Sequence, residues 1–213
     1  MMQDRNWRKT LIAAGIFGIS MGFLEAAVVV YLRAQYYPEG FTFPLKIFPP
    51  NILVIEVIRE AATILMLIAV GWLAGGNFLT RFAYFVFTFS VWDIFYYVFL
   101  KWTINWPQSL NDWDILFLVP LPWVAPVLAP VIVSISLIGA SIIVLYRHSI
   151  GIPVKIPIFR WLLIILGGVI IIISFLLNSG AVMNNFPLGT YNWYIFVTGL
   201  VISLIAFSSA LKR

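Results

Sequence analysis

The chain contains no cysteine, so it forms neither a disulfide nor a thiolate metal site, and its redox compartment leaves no mark on it. Histidine is almost as scarce. The single one, His148, stands in the basic stretch "YRHS" and reads as a solvated interfacial residue. Bis-histidine haem ligation within one chain is excluded, and the histidine-dependent zinc, di-iron and serine-hydrolase arrangements lose essential parts. Charge is sparse as well: only 10% of residues are Asp, Glu, Lys or Arg, against about 25% in ordinary soluble domains. The acids are unevenly spread. Asp4, Glu25, Glu39, Glu56, Glu60, Asp93, Asp112 and Asp114 are all eight, so nothing after residue 114 is negative. No internal repeat is present, which argues against the paired halves of many secondary transporters.

Hydrophobic residues fill the space. They make up 62% of the 213 residues, and the mean hydropathy is +1.02. A bilayer crossing takes about 20 apolar residues, and six such runs can be drawn, at 10–32, 52–73, 79–100, 123–146, 159–177 and 193–211. The first is too long for a cleaved signal and is read as a retained span. The expected fold is an all-α, polytopic bundle of six transmembrane helices forming a single transmembrane domain over 1–213. Residues 1–114 carry the acids, and 115–213 form an apolar scaffold.

If the spans alternate, Arg5, Arg8, Lys9, Arg81, Arg147, Lys155, Arg160, Lys212 and Arg213 share one side, while Arg33, Lys46 and Lys101 share the other. The positive-inside rule then puts both termini in the cytoplasm of a multi-pass cell-membrane protein. The net charge of +5 is thereby accounted for by the lipid bilayer, with no nucleic-acid partner required. Tryptophans follow the same pattern. Trp102, Trp106, Trp113, Trp123 and Trp193 fall near the outer interface, Trp7, Trp72 and Trp161 near the inner one, and Trp92 is the exception. This length and six-span, both-ends-inside layout are similar to those of the substrate-binding components of energy-coupling-factor transporters, which implies a solute-binding role. The similarity is one of architecture and carries no residue over.

Ala14, Gly18, Gly22 and Ala26 recur every fourth residue on the first span, a stripe that admits a second helix at close range. Span four opens with "VPLPWVAPVLAP", in which Pro122, Pro126 and Pro130 each remove a backbone donor, so a kinked or partly unwound beginning is expected.

Ionisable residues inside the spans are the functional signal. In "IEVIREAATIL", residues 55–65, Glu56, Arg59, Glu60 and Thr63 follow i, i+3, i+4, i+7 and share one helical stripe. Asp93, Tyr96 and Tyr97 form a stripe on span three, and Glu25 lies beside the small residues of span one. With Arg33, Asn51 and Lys101 as outer-interface markers, Glu25 is eight residues deep, Glu56 five, Glu60 nine and Asp93 eight, or about 8–14 Å at 1.5 Å per residue. All four acids therefore occupy the outer half of the membrane. Asp112 and Asp114, in "NWPQSLNDWDILF", fall on the same side and would form a lid.

Charges at such depth are costly unless they face a partner or water, and they mark functional positions. Arg59 neutralises one or two carboxylates, and a cation, protons or water must balance the rest. Oxygen ligands without sulfur or imidazole suit a hard divalent cation or the proton, with Glu56, Glu60 and Asp93 as the candidate metal set; haem and zinc fit poorly. Three functions remain open. One is a transport-related protein whose outward cavity binds a cation, proton or small polar solute. The others are an enzyme acting on lipid headgroups or lipid-linked substrates at the outer surface, and an accessory subunit with a membrane-protein partner in a larger complex.

Overall fold

The computed structural model describes residues 7–43, 48–118, 121–152, 154–184 and 186–211. Asp4, Arg5, Lys46, Lys212 and Arg213 lie outside them, so the charge pattern at these positions stays an expectation. The described residues fold into α1 (Trp7–Tyr36), α2 (Pro50–Ala74), α3 (Phe78–Ile104), β1 (Trp113–Phe117), β2 (Trp123–Pro126), α4 (Leu128–Ser149), α5 (Ile158–Leu176), α6 (Ser179–Met183) and α7 (Trp193–Leu211). Among the described residues, five stretches are long and apolar enough to cross a membrane: Trp7–Tyr36, Phe78–Ile104, Leu128–Ser149, Ile158–Met183 and Trp193–Leu211. The chain is thus a mainly helical, multi-pass membrane protein by length and composition. The helix over 52–73, expected as a sixth span, forms as α2 but is not one of these five.

Local chemistry explains several boundaries. Pro50 opens α2 at a position where the missing N–H costs nothing. Asn77 caps α3 by accepting the Thr80 N–H at 3.0 Å, and the Thr80 hydroxyl accepts the Asn77 N–H at 3.1 Å, a reciprocal capping box. At the other end Asn105 terminates α3 in the left-handed region, with φ 52°.

The fourth run departs from expectation. Residues 123–126 are not helical; they form strand β2, antiparallel to β1, with Asp114 opposite Ala125 and Ile115 opposite Val124. Pro122 precedes this strand, Pro126 is its last residue, and neither supplies a helical donor, so helix α4 begins only at Leu128 and keeps Pro130 within its first turn. The prolines displace the helix start rather than bend a helix already begun. Backbone outside a helix is tolerated at membrane depth only when protein covers it. Val124, Ala125, Val127 and Ala129 have no solvent exposure, which meets that condition.

α3 is the central element, packed against α1, α2 and α4, while α5 pairs with α7. The small-residue stripe of α1 does face α3. A Cβ added to Gly18 would stand 2.9 Å from the Thr88 carbonyl oxygen, and one on Gly22 3.0 Å from the Trp92 carbonyl oxygen. The α2–α3 crossing is tighter still, since a Cβ on Gly71 would meet Phe85 Cβ at 2.7 Å and the Arg81 carbonyl oxygen at 2.8 Å. Replacing Gly71 by alanine is therefore expected to force these backbones apart at a cost of about 1–3 kcal/mol. Gly139→Ala, where an added Cβ meets nothing within 4 Å, should be neutral or slightly stabilising. Thermal unfolding of the two variants in one detergent checks the contrast.

Candidate functional site

Near the C-terminal ends of α1 and α3, the N-terminal part of α2 and the β1–β2 hairpin lies a partly open cavity of about 110 Å³. Glu25 and Arg33 reach it from α1, Glu56, Arg59 and Glu60 from α2, Trp92, Asp93, Tyr96 and Tyr97 from α3, and Asp114 from β1. The helical stripes thus converge on one space. Of the sequence-predicted site residues only Asp112 stays away: its carboxylate accepts the Gln108 and Ser109 backbone N–H groups at 2.7 and 3.2 Å, tying the turn before the hairpin.

Two arginines organise the acids. Arg59 donates from Nε at 2.9 Å and from Nη2 at 2.8 Å to Glu56 Oε2, and its Nη1 bonds Glu25 on α1. One guanidinium thereby joins two helices. Arg33 donates from Nη2 to Asp114 Oδ1 at 3.2 Å, and its Cζ lies 3.7 Å from the Trp106 ring centroid and 4.2 Å from that of Phe41. Such stacking suits a guanidinium withdrawn from water. Arg33 and Asp114 are only 8% and 2% exposed. Burial pushes the Asp114 carboxyl above its ordinary value, and the facing Arg33, with hydrogen bonds from Tyr96 and Tyr97, pulls it back.

Asp114 therefore lines the cavity itself. Strand β1 turns it inward, because alternate residues of a strand face opposite ways, and its oxygens are taken up by Arg33 and the two tyrosines. Arg33, treated in the sequence as an interface marker, is likewise buried. The one signal for it was the spacing of Glu25, Val29 and Arg33 on a common helical face. Trp123, expected at the outer interface, instead packs against Phe117 and Phe175, with ring centroids 5.5 and 6.3 Å away.

The other two acids have no arginine. Both Glu60 oxygens face the Leu118 N–H, at 2.9 and 3.2 Å, and Asp93 Oδ2 accepts the Ser134 hydroxyl of α4 at 2.8 Å. Ser134 had no sequence signal pointing to Asp93. Among the described residues neither acid makes an ion pair. Two donors are unused in the same lining: Arg33 Nη1 and Trp92 Nε1 are buried without a hydrogen-bond partner among the described residues.

The candidate metal set Glu56, Glu60 and Asp93 disperses over separate partners, namely Arg59, Leu118 and Ser134. Among the described residues no group of three or more His, Cys, Asp or Glu side chains is gathered to hold a metal ion. The chain matches no protein-family model, no curated protein and no solved structure.

Proposed function

We propose that this membrane protein binds a small solute carrying a positively charged group in the carboxylate cavity, from the outer side of the membrane, in a transport-related role. The observation that carries this reading is the charge imbalance of the cavity lining. Asp114 is paired with Arg33, and Glu25 and Glu56 share Arg59, whereas Glu60 and Asp93 line the same space with one neutral donor each. An ionised carboxylate has roughly four acceptor positions, so both retain capacity for a cationic donor. Apolar surroundings strengthen that demand.

In this reading α2 completes a six-span bundle. Its charged stripe faces the cavity, and Ile55, Ile58, Leu65, Met66, Ile68 and Leu73 form an exposed apolar face suited to lipid. Arg8, Lys9, Arg81, Arg147 and Arg160 lie at the helix ends away from the cavity. That distribution supports cytoplasmic termini and an outward cavity. An engineered apolar cavity of about 150 Å³ takes a benzene molecule, so the present volume suits a solute group of a few non-hydrogen atoms.

Ethanolamine offers an ammonium for the free acids and a hydroxyl for the free donors. Titrated against the purified protein, it is expected to raise the unfolding midpoint in a saturable way. Glu60→Gln and Asp93→Asn keep an acceptor for Leu118 and Ser134 but remove the negative charge, and each should weaken ethanolamine binding at least tenfold. Equal midpoints with and without the amine, or equal affinities in the variants, would refute the proposal.

A further inference from the structure

A second cavity adjoins the first. It has a volume of about 350 Å³ and runs among α3, α4, α5 and α7, with Val86 and Phe89, Leu137 and Ala140, Gly168, and Leu204 among its walls. Asp93 and Leu116 line both cavities. At this junction Asp93 is held by Ser134, which also lines the larger space, and beyond it the walls are almost wholly apolar.

We propose that the two cavities form one site for an amphiphile: a small head bearing an amine and an oxygen sits in the carboxylate cavity, and a single hydrocarbon chain extends past Asp93 into the apolar one. This inference rests on the cation-binding reading above and names the class of molecule bound. Three observations specify the occupant. The head must satisfy opposite needs, because Glu60 and Asp93 ask for a positive donor while the buried Arg33 Nη1 and Trp92 Nε1 ask for an acceptor. An amino alcohol supplies both. The chain must be apolar, since the walls of this space are almost wholly apolar and favour hydrocarbon over a polar group. Its capacity is more than twice the roughly 150 Å³ that accommodates benzene, enough for a stretch of alkyl chain. Finally, the carboxylate at the junction is placed where such a molecule changes from polar to apolar.

The test compares ethanolamine, which has the head alone, with N-dodecylethanolamine, which has head and chain, by binding titration to protein held in lipid nanodiscs. Gly168→Leu fills the apolar cavity, and an added Cβ there meets nothing within 4 Å, so the fold should tolerate it. Ala140→Leu does the same from the α4 wall and serves if the first variant unfolds. The filled variant is expected to lose about tenfold or more in affinity for N-dodecylethanolamine, with ethanolamine binding changed less than twofold. Undiminished affinity for the dodecyl compound, or an equal loss for both amines, would overturn the chain assignment while leaving the head site in place. Failure of both compounds to bind the wild-type protein would remove the cation-binding reading and this inference together.

Discussion

Asp114→Ala is expected to destabilise the protein by about 3–5 kcal/mol, the range seen when one partner of a buried ion pair is removed. Arg33 would remain as an uncompensated cation that is 8% exposed. Its Nη1 already has no hydrogen-bond partner among the described residues, so loss of Asp114 would leave Nη2 unpaired too. The pair also connects α1 with strand β1, 81 residues away. Hairpin and helix would therefore separate together. For a chain of this size the loss corresponds to a fall in the unfolding midpoint on the order of 10 °C.

The double variant Arg33→Met, Asp114→Leu separates charge from packing. With both charges gone and their volumes filled by apolar groups, much of the loss should be recovered. Partial recovery would measure the hydrogen bonds from Tyr96 and Tyr97 that Asp114 accepts. If Asp114→Ala unfolds at the wild-type temperature, the pair does not anchor the hairpin.

Helical periodicity made most of the cavity legible before any coordinates. Residues three and four apart share a face, so "IEVIREAATIL" and Asp93, Tyr96 and Tyr97 had to present their polar groups in stripes. Expected depths of five to nine residues put Glu25, Glu56, Glu60 and Asp93 in the same half of the membrane, and these side chains do line one cavity. The hairpin was illegible for an equally physical reason. "WDILF" and "WVAP" are short and apolar, and such runs read as helix or strand alike until their partner is known. The burial of Arg33 is not legible because a basic residue at the end of a span ordinarily reaches for the interface. Nothing local reveals a partner 81 positions later. The link from Asp93 to Ser134 was hidden in the same way, as serine on an apolar helix usually bonds to its own backbone, as Ser136 and Ser141 do.

Arg59 offers a test with effects of opposite sign. Its guanidinium bonds Glu56 and Glu25 and joins α2 to α1, so Arg59→Met should lower stability. The loss should be smaller than for Asp114→Ala, about 1–3 kcal/mol. Amine binding should move the other way. Removing one positive charge about 8 Å from a bound ammonium relieves roughly 2 kcal/mol of repulsion at an effective dielectric constant of 20. Ethanolamine should then be bound tighter, by about tenfold or more, in a variant that unfolds at lower temperature. Adding Glu25→Gln to Arg59→Met removes one negative charge along with the positive one and leaves the cavity's net charge as in the wild type, so it should restore near wild-type affinity. Weaker amine binding by Arg59→Met would mean that the arginine, and not the unpaired acids, holds the solute.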